Sequence, residues 1–207
     1  MRRNWTWAAV MLSVLGVFIG VARESSGSES AYSTFGIVPE RSEVRFILKA
    51  TKHDVIGRTG QVEGEVEATP DTLSDAREGF AIVEAATLDA GNPIINRNMR
   101  GKLETGKYPL IRFQAKQFIE GEPSEHDAAG WRGRVKGELT VRGVTRPVEL
   151  DVVCSREEGE LRAKGSSQFK LTDFGIDPPR FLRFFRVKDQ VLIEFDIVAA
   201  REAGILP

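Results

Sequence analysis

Val135-Lys-Gly-Glu-Leu-Thr-Val-Arg-Gly-Val-Thr-Arg-Pro-Val-Glu-Leu-Asp-Val-Val-Cys154 reads as two amphipathic strands joined by a tight turn. Val135, Gly137, Leu139 and Val141 alternate with Lys136, Glu138, Thr140 and Arg142. After Arg142-Gly143, Val148, Leu150, Val152 and Cys154 share one face opposite Glu149 and Asp151. A period of two is the pleat of a half-buried strand, and a Gly-containing break between two such runs is a hairpin signal.

The same alternation extends outward from this hairpin. Upstream, Val44, Phe46, Leu48 and Ala50 share a face, as do Val62, Gly64, Val66 and Ala68 against Glu63, Glu65 and Glu67. Further strands are expected over residues 80–88 and 108–118, the latter with Ile111, Phe113 and Ala115 on one face. Downstream they are expected over residues 160–171, including Phe169, and over 191–200, where Val191, Ile193, Phe195 and Ile197 alternate with Glu194 and Asp196. Each strand keeps one charged face, whereas parallel sheets are apolar on both, so the sheet is antiparallel. Residues 71–77 and 92–104 are the two stretches with helical character, the second the better candidate. The expectation is therefore an all-β domain of about eight strands with one or two short helices, over residues 34–200. Long strands with one wet face each favour a closed barrel over a sandwich.

The ends differ in kind. Arg2 and Arg3 precede an uncharged, largely apolar run over residues 5–22, and a polar Ser/Glu/Gly-rich linker follows over 23–33. A basic start, apolar middle and small residues at Gly20-Val21-Ala22 make a secretory signal. The run is also close to the ~17–25 residues that span a bilayer, so a retained anchor is the other reading. Both place the domain outside the cytoplasm, periplasmic or secreted. Residues 201–207 are a tail. Cys154 is the one cysteine of the 207 residues, so sheet closure and core burial must hold an exported domain that has no internal disulfide. A net charge of −1 gives no support to a nucleic-acid role, which would want a concentrated basic face.

An eight-stranded barrel either fills with side chains or holds one small ligand. Large inward residues here are mixed with Gly64, Ala68, Ala115, Gly137, Gly165 and Ala199. Small residues leave volume, although strand glycines also serve bends, so both outcomes stay open. The sequence carries no nucleophile elbow, no metal-binding pair and no phosphate loop, hence no catalytic residue, cofactor or metal is expected. His126 sits in an acidic stretch. His53, in Lys52-His-Asp-Val-Ile-Gly57, is placed at a barrel rim, and its neighbour Asp54 points to the opposite face. Residues 181–186 (Phe-Leu-Arg-Phe-Phe-Arg) belong to a long connection over 172–187 that either packs over the barrel or meets a membrane or partner.

Three of these segments together resemble the YceI-like family of lipid- and polyisoprenoid-binding proteins. Gly137 to Leu150 looks like that family's hairpin, Tyr108-Pro109-Leu110-Ile111-Arg112-Phe113 is similar to its Tyr-Pro-x-Ile-x-Phe strand, and Asp173-Phe174-Gly175-Ile176 resembles its late-strand signature. The resemblance implies a lipocalin-like eight-stranded barrel with a helix near its mouth, an export signal and no enzymatic activity. It also implies a long isoprenoid chain in an apolar tunnel. The inferred lining is Phe46, Leu48, Phe113, Ala115, Leu139, Val141, Leu150, Val152, Phe169, Phe174, Ile193 and Phe195, with His53 and Arg97 as head-group candidates. Two departures stand out: Arg97-Asn98 replaces the family's usual Arg-Asp, and His53 lacks the aromatic-Gly pair that often follows it. An exported lipid carrier or reservoir is one reading. A structural or interaction barrel with a filled core is the other.

Overall fold

The computed structural model describes residues 32–51, 53–69, 76–123, 131–178, 180–181 and 185–201. The apolar N-terminal run, residues 71–75 of the first helical stretch, His126 and residues 182–184 of the Phe/Arg-rich stretch lie outside them.

The barrel closes through two broken staves. β1 (Ser33–Ile37) and β2 (Glu43–Ala50) both pair with the same edge of the last strand, β11 (Phe185–Arg201): Ile37 faces Ala199 and Val44 faces Phe195. They are one stave interrupted by a 3-10 turn at Pro39–Arg41. Proline has no N–H for a ladder, and the buried Ser42 repairs the gap. Its Oγ donates to Val38 O at 2.8 Å and accepts from Val198 N at 3.1 Å. β3 (Val55–Thr59) and β4 (Val62–Ala68) form the second stave, hairpinned to the first. β5 (Gly79–Glu84), β6 (Leu110–Pro123), β7 (Trp131–Val141), β8 (Val144–Glu157) and β9 (Glu160–Lys170) then follow in order to β11. Since β1 pairs with both β4 and β11, eight antiparallel staves make a closed ring. Closure leaves few unpaired edges of the kind that invite aggregation. A short β10 (Arg180–Phe181) pairs with β11 off the ring.

The expected hairpin is present in the expected register, Gly137 facing Val148 and Val141 facing Val144. Arg142 and Gly143 both take left-handed backbone, φ 52° and 73°, the pair that matches the twist of two-residue hairpins. Charged side chains stay outside and pair across strands, as in Arg45–Glu194 at 2.6 Å and Arg162–Asp196 at 2.7 Å.

Three boundaries differ from the sequence reading. The strand expected to reach residue 88 stops at Glu84, where a 3-10 turn at Ala85–Thr87 begins and Thr87 Oγ1 donates to Glu84 O at 2.7 Å. The strand expected to end near 118 runs on to Pro123. The last strand starts at Phe185 rather than 191, across a register shift between Val187 and Val191 against β2. Lys188-Asp189-Gln190 fills that irregular step, so the alternation fails locally although the pairing continues. Asp189 serves there by accepting from Thr172 N at 3.0 Å and Thr172 Oγ1 at 2.7 Å.

One wall is incomplete as sheet. β3 does not reach β5, and meets instead residues 88–90 through a bridge between Arg58 and Asp89. That segment leads into the helix α1 (Pro93–Leu103).

Candidate functional site

The inner faces of the staves enclose an apolar cavity of about 390 Å³. Its existence is visible in the burial pattern. Leu48, Phe113, Leu139, Leu150, Phe169, Ile193 and Phe195 all point inward yet are only half-buried, because the space before them is empty. Interiors normally pack to the density of organic crystals. A void of this size lies at the lower end of the ~300–1,000 Å³ typical of small-molecule sites.

The cavity has a firm floor and a light roof. At the floor, Phe35 is 1% exposed and packs with Ala68, Leu161 and Ala199, under the Arg156 guanidinium 5.4 Å from its ring centre. Beside the β7–β8 turn, the buried Phe174 and Ile176 pack with Val141, and Phe174 meets Phe169 edge-on at 5.1 Å. The roof is α1. Asn92 caps its start, accepting from Ile94 N at 2.9 Å and Ile95 N at 3.2 Å, and Pro93 occupies the first turn where no N–H is missed. Ile95, Met99 and Leu103, four residues apart, turn toward the cavity, yet no residue of the helix is buried. A lid that faces a void shows this combination.

The lid is held at both ends. Asp89 accepts from Asn96 Nδ2 at 2.6 Å and Gly91 N at 2.8 Å near its start. At its end Glu104, left-handed at φ 50°, receives Arg142 Nε at 2.7 Å and Nη2 on the same oxygen. Arg142 Nη1 also donates to Gly175 O at 2.5 Å. One arginine thus ties together the lid, the β7–β8 turn and the turn that follows Phe174.

Phe46, Leu48, Phe113, Ala115, Leu139, Val141, Leu150, Val152, Phe169, Phe174, Ile193 and Phe195 are all brought to the cavity wall. His53 and Arg97 are not. His53 is exposed beside β3, and Arg97 lies on the solvent face of α1, because helical spacing gives the inward stripe to Ile95, Met99 and Leu103. Asn98 and Lys102 are the helix's polar residues at the boundary. Sequence reading also missed Val135, Trp131 and Ile176 as lining, although the first two lie on the inward face of the same hairpin.

At Gly137 and Gly165 the glycines do not leave volume. A Cβ at Gly137 would come within 2.5 Å of the Phe113 ring, and one at Gly165 within 2.5 Å of the Phe195 ring. These glycines are covered by aromatic rings from the adjoining strand, so they seat the wall and do not widen the cavity. Cys154 lines the lower part, and burial pushes its thiol up to about 12. It is an uncharged apolar residue at neutral pH.

Residues 35–199 match the family model described as the YceI-like domain. The chain belongs to that family. No curated protein sequence matches it. Among solved structures, the YceI-like barrel is similar to BcnA of Burkholderia cenocepacia, at 20% identity and a TM-score of 0.66 over 79% of this chain and 99% of the other. It is also similar to a polyisoprenoid binding domain from Saccharophagus degradans implicated in plant cell wall breakdown, at 14% identity and 0.60, over 81% and 98%. A YceI protein of Campylobacter jejuni aligns at 17% identity and 0.53, over 74% and 88%. At these identities the likeness is one of fold.

Proposed function

We infer that this YceI-like barrel is an exported lipid-binding protein that holds an isoprenoid or similar long apolar chain, as carrier or reservoir. The observation that carries the reading is the apolar cavity of about 390 Å³ with half-buried Phe, Leu and Ile side chains around it. An apolar void stays dry and accepts an apolar guest. Each buried CH₂ contributes about 0.8 kcal/mol, so each five-carbon isoprene unit adds about 4 kcal/mol before the cost of ordering the chain. Such a guest needs no catalytic group: the barrel excludes water, the lid covers the chain, and Asn98 and Lys102 stand where a polar end emerges. The polyisoprenoid binding of the Saccharophagus degradans domain supports the same class of guest. The cleavable or anchoring segment over residues 5–22 supports an extracytoplasmic location.

Titration of the protein with a long polyprenol, followed by gel filtration, tests the reading. The expected result is about one polyprenol retained per barrel, with quenching or shift of Trp131 fluorescence, since that indole lines the cavity. Retention of no polyprenol by a folded barrel would contradict it and favour a structural role.

A further inference from the structure

The outer face of α1 has no counterpart inside the barrel. Opposite the stripe of Ile95, Met99 and Leu103, helical spacing places Ile94, Arg97 and Gly101, with Arg100 on the edge and Lys102 on the flank. Ile94 is 68% exposed, and it and Ile56 (52%) are the two large hydrophobic residues so exposed among those described. Both belong to the same rim: Ile56 stands two residues before Arg58, whose backbone bridges Asp89, and Asp89 holds Asn96 of the helix.

The helix is also cationic in a chain that is not. Arg97, Arg100 and Lys102 are accompanied by no acidic residue between Pro93 and Leu103, while the whole chain carries a net charge of −1. The carboxylates nearby are engaged. Glu104 is taken by Arg142, and Asp89, which lies near Arg58 and Arg100, by Asn96 and Gly91. Arg100 and Lys102 in the last turn complement the helix dipole. That accounts neither for Arg97 in the middle of the helix nor for an isoleucine left in water.

We propose that the outer face of α1 docks the barrel on an anionic phospholipid surface, with Ile94 entering the interface and Arg97 and Arg100 meeting phosphate head groups. An interfacial helix of this kind combines apolar insertion with electrostatic attraction to anionic lipid. The charge complementarity selects that partner over a neutral surface, and the same helix is the roof of the cavity. Docking therefore sets the lid, flanked by Asn98 and Lys102, against the source of an apolar chain. The proposal extends the lipid-holding reading, and its test is read separately from ligand binding.

Gly101 offers a reporter, because a Cβ there meets no atom within 4 Å. The full chain carrying Gly101→Cys is labelled with an environment-sensitive fluorophore, Cys154 being a neutral, half-buried thiol that faces the cavity, and mixed with vesicles. One set is phosphatidylcholine alone and the other contains phosphatidylglycerol. The expected result is a blue shift with the anionic vesicles only, which molar salt reverses. The label reads the outer face of α1 itself, so attachment through residues 5–22 does not mimic the signal. Arg97→Gln/Arg100→Gln should raise the vesicle concentration at half-shift about 25-fold, at about fivefold per charge. Ile94→Ser should raise it about tenfold or more. None of these residues lines the cavity, so polyprenol retention should be unchanged. Equal shifts on neutral and anionic vesicles, no shift on either, or variants that behave as the parent would overturn the proposal. So would a dimer that the same substitutions dissociate without any vesicle effect, which would assign the face to a second copy of the chain. Loss of polyprenol retention by the parent with the anionic shift intact would instead overturn the ligand reading alone.

Discussion

Ala163→Phe separates a hollow barrel from a filled one. Ala163 sits on β9 facing Cys154 and Ile197, while Arg162 before it lies outside with Asp196. It lines the cavity and is only half-buried, so its Cβ has the void in front of it. Burying a phenyl ring contributes about 1.5–3 kcal/mol, against about 1–3 kcal/mol where neighbours must shift. In a cavity the two roughly cancel, and the melting temperature of the empty protein should move little. Binding responds differently. The ring takes the place of about one isoprene unit, about 4 kcal/mol of contact, which is about a thousandfold in Kd. Ala115→Phe is the contrasting variant, because Ala115 is 6% exposed and wedged among Val135 and Val152. It should overpack the wall and cost about 1–3 kcal/mol. Thermal melts and polyprenol titration of both variants check the pair. Ala163→Phe binding as tightly as the parent, or destabilised by more than about 3 kcal/mol, would refute the reasoning.

Other consequences are open to measurement. Leu139→Asp buries an unpaired charge on the inner wall and should cost several kcal/mol, while Glu138→Lys loses only its exposed pair with Lys116 at 3.4 Å and should cost under about 1 kcal/mol; comparable melts would mean that the register is wrong. Cys154 should resist alkylation in the folded protein at pH 8 and react once it is unfolded. Its thiol is raised from 9.0 to about 12, so the stability it confers is complete below about pH 9 and is lost as pH rises from there through 12; rapid labelling of the native state would contradict this. Arg142→Ala leaves Glu104 and Gly175 O without their donor, and should cost about 1 kcal/mol and speed amide exchange in α1; exchange as slow as in the parent would show that the clip does not hold the lid.

The parts of this architecture written locally were legible. Period-two patterning around Arg142-Gly143 located the hairpin, its register and the inward set from Phe46 to Phe195, because a pleat turns alternation directly into faces. Features made by distant residues were not. Glu104 and Arg142 are 38 positions apart, and neither carries a local signal of the other. The breaks at Pro39 and Gly60 divide eight staves into ten ring segments, and the short β1 and β3 carry too little alternation to be read as strands from sequence. Gly137 and Gly165 looked like added width because sequence does not show the Phe113 and Phe195 rings folded over them. The family pattern points to Arg97 as a head-group contact, whereas the helical face is set by Ile95, Met99 and Leu103.

The most direct test of the account is native mass spectrometry of the protein purified from its own host in a mild, lipid-preserving detergent. The account predicts a population heavier than the bare chain by the mass of one apolar lipid, released on unfolding and recovered in organic extract as a polyprenyl or similar long chain. Bare chain alone, from a barrel that also takes up no polyprenol added afterwards, would contradict it.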